Sequence, residues 1–107
     1  MGDANRSPEG RADQSLDGKT ALVTGGGKGI GRAISQALAG MGARVVVNYR
    51  SDKTAAEETA ASLPGATAHQ ADVGDPVQVE AMVRSIGRVD VLVNNAGAVR
   101  DKLLIQM

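Results

Sequence analysis

The sequence predicts an α/β fold, a doubly wound parallel sheet, and three observations carry that expectation. Four short apolar runs alternate with three amphipathic segments between Thr20 and Asn94. The second run, Val45-Val46-Val47, lacks polar alternation, as a strand covered on both faces should. Each run also ends in polar, charged or glycine residues: Thr24-Gly25, Asn48-Tyr49-Arg50, Asp72-Val73 and Asn94-Asn95-Ala96-Gly97. The pattern β-α-β-α-β-α-β requires right-handed crossovers. The expected strand order is 3-2-1-4, a partial sheet whose first and fourth strands flank a crevice.

The elements follow in order. Met1 to Asp17 holds one sizeable apolar residue, Leu16, and residues 1–17 are expected to be a disordered polar extension. Residues 18–107 form the second unit. Its first strand is Thr20 to Thr24. The helix behind it places Ile30, Ala33, Ile34, Ala37, Leu38 and Met41 on one face, with Gly42 as a left-handed cap. Arg44 to Asn48 is the second strand. The second helix runs from about Lys53 to Leu63, with Asp52 as N-cap and Pro64-Gly65 as its stop. Ala66 to Gln70 is a third strand. Asp75-Pro76-Val77-Gln78 opens a third helix with Asp at N-cap, Pro at N1 and Gln at N3. Val79, Met82, Val83 and Ile86 form its inner face, and Gly87 ends it. Val89 to Asn94 is the fourth strand, an open apolar edge unless a further strand pairs with it. For that reason the 107 residues are expected to fold poorly by themselves.

Composition excludes several classes. Twelve basic residues balance twelve acidic ones, so no strong field recruits nucleic acid or an anionic membrane. Without cysteine there is neither a disulfide framework nor a thiolate metal site. No apolar run approaches the ~18 residues a membrane helix needs. The N-terminus is polar, unlike a signal peptide. The expectation is a cytoplasmic chain whose core, with Tyr49 as the single aromatic residue, is aliphatic.

The first strand runs into Thr24-Gly25-Gly26-Gly27-Lys28-Gly29-Ile30-Gly31. Strand, glycine turn and helix N-terminus together suit a phosphate, because first-turn amides have no partner within the helix. Gly25 and Gly29 can take backbone angles closed to other residues, and Gly31 lets helix and sheet approach. The spacing is not G-x-G-x-x-G, since Arg32 stands where the last glycine belongs. Nor is it G-x-x-x-x-G-K-[ST], since Gly29 follows Lys28. It is T-G-x-x-x-G-x-G.

That motif, Asp72-Val73 and the N-N-A-G of 94–97 resemble the N-terminal half of short-chain dehydrogenases/reductases, which have a Rossmann-like fold. The resemblance covers about Leu16 to Met107. The run Arg100 to Met107 is similar to the corresponding region of β-ketoacyl-acyl-carrier-protein reductases. It implies that Gly25, Gly27, Lys28, Gly29, Ile30 and Gly31 wrap a cofactor diphosphate. It also implies that Asp72 accepts from the adenine amino group with Val73 beside the ring. Asn94, Ala96 and Gly97 would then line the adenosine ribose and nicotinamide side.

Cofactor choice follows from charge. No carboxylate occurs after the second strand until Asp52, whereas Arg50 offers a planar fork to a 2′-phosphate and Lys28 adds a second charge. This favours NADPH over NADH, with a charge-assisted bond contributing ~1.5–3 kcal/mol. The family chemistry that the resemblance implies uses a Tyr, a Lys four residues later, an upstream Ser and a helical Asn. The Tyr49/Lys53 pair has that spacing but lies in the loop after strand 2, where the adenosine end belongs. No catalytic residue is therefore expected within the chain, and by itself the chain is expected to be inactive. His69 is read as structural, and Glu57-Glu58 as a solvated helix face.

The expected function is NADPH-dependent reduction of a 3-oxoacyl thioester or related ketone, with this chain supplying the cofactor-binding half of an enzyme that is a homo-oligomer at full length. The alternatives are a non-catalytic NADPH-binding module and a fragment completed by a partner chain.

Overall fold

A computed structural model describes residues 15–96. In chain order the elements are β1 (Thr20–Val23), α1 (Gly29–Gly40), β2 (Arg44–Tyr49), α2 (Lys53–Ala61), β3 (Thr67–Gln70), α3 (Pro76–Ile86) and β4 (Val91–Val93). The strands form one parallel sheet in the order β3-β2-β1-β4, the expected 3-2-1-4. Val23 lies beside both Val47 and Val93, so the carboxyl ends of β2, β1 and β4 are level. The polar strand ends therefore gather along one edge of the sheet.

Alternation along the strands divides the core between two faces. Ala21, Val23, Val45 and Val47 pack with Ala56 and Ala60 of α2, and Ile34 and Leu38 of α1 close over them. Leu22 and Val46 point the other way, onto Met82, Val83 and Ile86 of α3. The sheet is thus covered on both faces, which is why its central strands carry no polar alternation. Burying one such aliphatic side chain contributes ~1.5–3 kcal/mol.

Several boundaries differ from expectation. β4 starts at Val91, one residue after Asp90, which meets β1 partly through its side chain: its amide donates to the Thr20 carbonyl at 2.8 Å, its Oδ2 accepts from the Thr20 amide at 2.9 Å and its Oδ1 from Arg88 Nε at 2.8 Å. The Thr20 amide, then Arg88, hold this carboxyl below its ordinary pKa. Ser15–Gly18 forms a turn in which Leu16 packs against the core and its amide donates to the Met41 carbonyl at 2.9 Å. Leu16 is thus tied to the core although it lies within the expected extension. The remainder of the expected extension, residues 1–14, lies outside the described residues, as does the run 97–107.

The buried face of α1 is also corrected. Ile30, Ala33 and Ala37 are exposed, Ile30 by 74%, and the buried residues are Gly31 and Ser35. Ile34, Leu38 and Ala39 are half-buried beside them. The physical reason is the bare edge of Gly31, which seats directly on the Gly25 carbonyl where any Cβ would collide. That contact rotates the helix about its axis, away from the orientation its apolar stripe favours. At the far end the expected cap is present, with Gly42 in left-handed backbone at φ 97°.

Candidate functional site

The glycine turn crosses the carboxyl end of β1 and delivers the N-terminus of α1 there. Gly25 and Gly29 have φ of 63° and 59°, angles that admit glycine at no steric cost. Lys28 is the N-cap of α1 in extended backbone and bonds no side chain to it. By helix geometry the amides of Gly29, Ile30 and Gly31 are left open, with the positive end of the helix dipole behind them. Lys28, Gly29 and Ile30 are exposed, whereas Gly26, Gly27 and Gly31 are buried. Backbone donors are therefore accessible there from solvent.

Buried hydroxyl and amide groups hold the turn from four sides. Thr24, fully buried, accepts at Oγ1 from the amides of Asn95 at 2.9 Å and Ala96 at 3.0 Å. Asn95 Nδ2 answers with a bond to the Gly25 carbonyl at 3.1 Å. These contacts fasten the glycine turn to the N-N-A-G segment across the β1–β4 pair. From β2, Asn48 accepts the Gly25 amide at Oδ1 (3.3 Å) and the Gly26 amide at its backbone oxygen (3.1 Å). Its Nδ2 donates to the Ala71 carbonyl at 3.1 Å, which ties the turn to the segment leading into Asp72. From within α1, Ser35 Oγ reaches the carbonyls of Gly31 at 2.9 Å and Gly26 at 3.3 Å. From α2, Thr59 Oγ1 donates to the Gly27 carbonyl at 2.8 Å. Sequence reasoning did not single out Ser35, Asn48 or Thr59 as site residues. Their signal is a polar residue set inside an otherwise apolar or alanine-rich stretch.

The part of the sheet edge beyond β2 and β3 is more open. Arg50, beyond β2, has a side chain 77% exposed, and its Nε lies 3.9 Å from Asp72 Oδ2. Asp72 Oδ1 accepts from the Gly74 amide at 2.9 Å, and the Asp72 amide donates to Gln78 Oε1 at 2.9 Å. The N3 glutamine of α3 thus braces Asp72 instead of closing on the N-cap amide. Val73 is half-buried beside it. Lys28 Nζ donates to Asp52 Oδ2 at 3.1 Å, joining the glycine turn to the start of α2. The Ala55 amide, then Lys28, hold the Asp52 carboxyl below its ordinary pKa.

Gly25, Gly27, Lys28, Gly29, Ile30 and Gly31 thus stand with Asn94 and Ala96 at the β1–β4 end, while Arg50, Asp72 and Val73 stand beyond β2 and β3. Asn94 is exposed and Ala96 half-buried. Gly97 lies outside the described residues. Tyr49 packs on the core and Lys53 Nζ lies 3.9 Å from Glu57, so the Tyr49/Lys53 spacing builds no acid–base pair. His69 is half-buried on β3. Among the described residues no group of three or more His, Asp or Glu could hold a metal, and no helix is long and apolar enough to cross a membrane.

A parallel sheet with a glycine turn and open helix amides at its switch point defines a dinucleotide-binding fold. The family model for short chain dehydrogenases matches residues 19–107, and the chain belongs to that family. It is 43% identical over 101 residues to a 3-oxoacyl-[acyl-carrier-protein] reductase of Synechocystis, covering 87% of this chain and 41% of the relative. To versicolorin reductase 1 of Aspergillus parasiticus it is 48% identical over 92 residues, covering 78% and 35%. Among solved structures, a short chain dehydrogenase from Burkholderia cenocepacia in complex with NADP superposes with a TM-score of 0.68 at 43% identity, covering 77% of this chain and 37% of that one. BdcA in complex with NADPH superposes at 0.71 and 42% identity, covering 78% and 34%. The chain spans 41% and 35% of the length of these two curated relatives.

Proposed function

We propose that this chain is the cofactor-binding half of an NADPH-dependent carbonyl reductase, acting on a 3-oxoacyl thioester or related ketone. The observation that carries the proposal is the pairing of two features along one sheet edge. One is the glycine turn with its open helix amides. The other is Arg50, exposed, with no carboxylate between Asn48 and Asp52. Residues 18–107 constitute this half-domain, with 1–17 as a polar extension ahead of it.

The residues fit the cofactor. The amides of Gly29, Ile30 and Gly31 suit a diphosphate, and the side chains of Arg50 and Lys28 suit a 2′-phosphate. Asp72 accepts from an adenine amino group with Val73 against the ring, and Asn94, Ala96 and Gly97 line the ribose and nicotinamide side. When bound, the reduced nicotinamide supplies a hydride to the carbonyl carbon. This chain's own contribution is to bind and orient. The loop fixes the diphosphate, Arg50 selects the phosphorylated ribose, and the β1–β4 crevice aims the nicotinamide toward the substrate. The substrate class is taken from the likeness to the Synechocystis reductase and from the run Arg100 to Met107.

The test uses the intact polypeptide that carries these residues, isolated from its cell. NADPH should bind at least tenfold more tightly than NADH, and NADPH should be oxidised when a 3-oxoacyl thioester is added. Equal affinity for the two cofactors would overturn the NADPH assignment. Binding without oxidation of any ketone would favour a nucleotide-binding module over a reductase.

A further inference from the structure

Thr59 lies on α2, outside every residue group assigned to the cofactor, yet it is fully buried and its hydroxyl has one partner from the glycine turn, the Gly27 carbonyl at 2.8 Å. Gly27 itself rests on α2. A Cβ there would fall 2.8 Å from Ala56 Cα and 2.9 Å from the Ala56 amide nitrogen. Backbone contact and hydroxyl bond together fix one peptide group, that between Gly27 and Lys28. The peptide is trans, so its C=O and N–H point in opposite directions. With the carbonyl turned into α2, the Lys28 amide is turned away from α2, toward the open side where Lys28, Gly29 and Ile30 are exposed.

We propose that Thr59 is a positioning residue for cofactor binding, one that orients the Gly27–Lys28 peptide so that its amide joins the open amides of α1 in gripping the diphosphate. This rests on the reading of the glycine turn as an NADPH site. Without the hydroxyl, the Gly27 carbonyl is a buried acceptor lacking its bond, and the peptide can regain one only by rotating toward solvent. Rotation would present an oxygen where the anion needs a donor. Asp52 and Lys28 restrain the same stretch from the exposed side at 3.1 Å, so α2 braces the turn at consecutive residues.

The experiment compares Thr59→Val, which keeps the shape and removes the hydroxyl, with Thr59→Ser, which keeps the hydroxyl. NADPH affinity is measured by calorimetry in the intact polypeptide, and folding by its thermal melt. The expected result is a loss of about tenfold in affinity for Thr59→Val with a cooperative melt retained. Thr59→Ser should stay within about twofold of the parent. Equal affinities for the parent and Thr59→Val would overturn the positioning role while leaving the NADPH reading intact. Failure of the parent to bind NADPH would overturn that reading instead, and the inference with it. If Thr59→Val unfolds, Thr59→Ala takes its place. Unfolding of both would assign the hydroxyl to the fold and overturn the proposal.

Discussion

The two ends of this sheet edge are built by opposite means. Around the glycine turn, every side chain that bonds the loop backbone is at least half buried, and Thr24, Ser35, Asn48 and Thr59 are almost wholly so. At the Arg50–Asp72 end, the cation is exposed and its ion pair is long at 3.9 Å. Buried neutral groups with short bonds fix a shape, because leaving any one of them unpaired costs the full desolvation of its partner. Exposed charges fix little, since water and salt screen them, but they remain free to meet a ligand. On the proposed reading of the site, shape is therefore set where the diphosphate would lie and discrimination where the adenosine would lie.

The glycine turn is most sensitive at Gly31. A methyl group there meets the Gly25 carbonyl, a backbone atom that Asn95 holds in place. Gly31→Ala is expected to lower stability by about 3 kcal/mol, read from denaturant unfolding, and to abolish NADPH binding. Thr24→Val comes next. It keeps the volume but strips the amides of Asn95 and Ala96 of their acceptor, an expected loss of about 2 kcal/mol. An unchanged unfolding midpoint for Thr24→Val would mean that the turn and N-N-A-G are not held together by this hydroxyl.

Much of this division was legible in the sequence, though unequally. The run Val45-Val46-Val47 announced a doubly covered strand, and Asp75-Pro76 announced the start of α3, because both depend on nearest neighbours. The gathering of polar strand ends was legible too, since parallel pairing forces it. The orientation of α1 was not. Its apolar stripe pointed to Ile30, Ala33 and Ala37, and a single close contact of Gly31 with Gly25 overrode them. Ser35 and Thr59 were hidden for a related reason. A lone polar residue in an apolar stretch gives no sign of whether it meets water or a buried carbonyl. For Thr59 the partner lies 32 positions away, and only the fold brings the two together.

The Arg50–Asp72 end should respond in the opposite way. Arg50→Ala removes a side chain with no buried contact, so its melt should match the parent to within ~0.5 kcal/mol. The ratio of NADPH to NADH affinity should nevertheless fall about ten- to a hundredfold. A lowered melt with an unchanged ratio would make Arg50 a residue of the fold and not of cofactor choice.

Asp52→Asn probes the seam between the two regions and should have the smallest effect. The carboxylate accepts the Ala55 amide at 3.1 Å as N-cap of α2 and also holds Lys28. An asparagine can keep the first bond and loses the charge in the second. Lys28 is then freer to meet a 2′-phosphate, and NADPH affinity should rise by about twofold. The pH dependence separates this from a general change in the loop. Because the folded carboxyl titrates below the ordinary aspartate value of 3.8, its contribution to stability is present above that pH. It is lost as pH falls through the lower, folded value. The parent should therefore exceed Asp52→Asn in stability at neutral pH, and the two should converge in acid, as followed by thermal melts across the acid range. Added salt should shrink the neutral-pH difference, since both partners of the ion pair are exposed. A difference that persists in acid would mean that the carboxylate charge, and with it the ion pair to Lys28, is not what separates the two proteins.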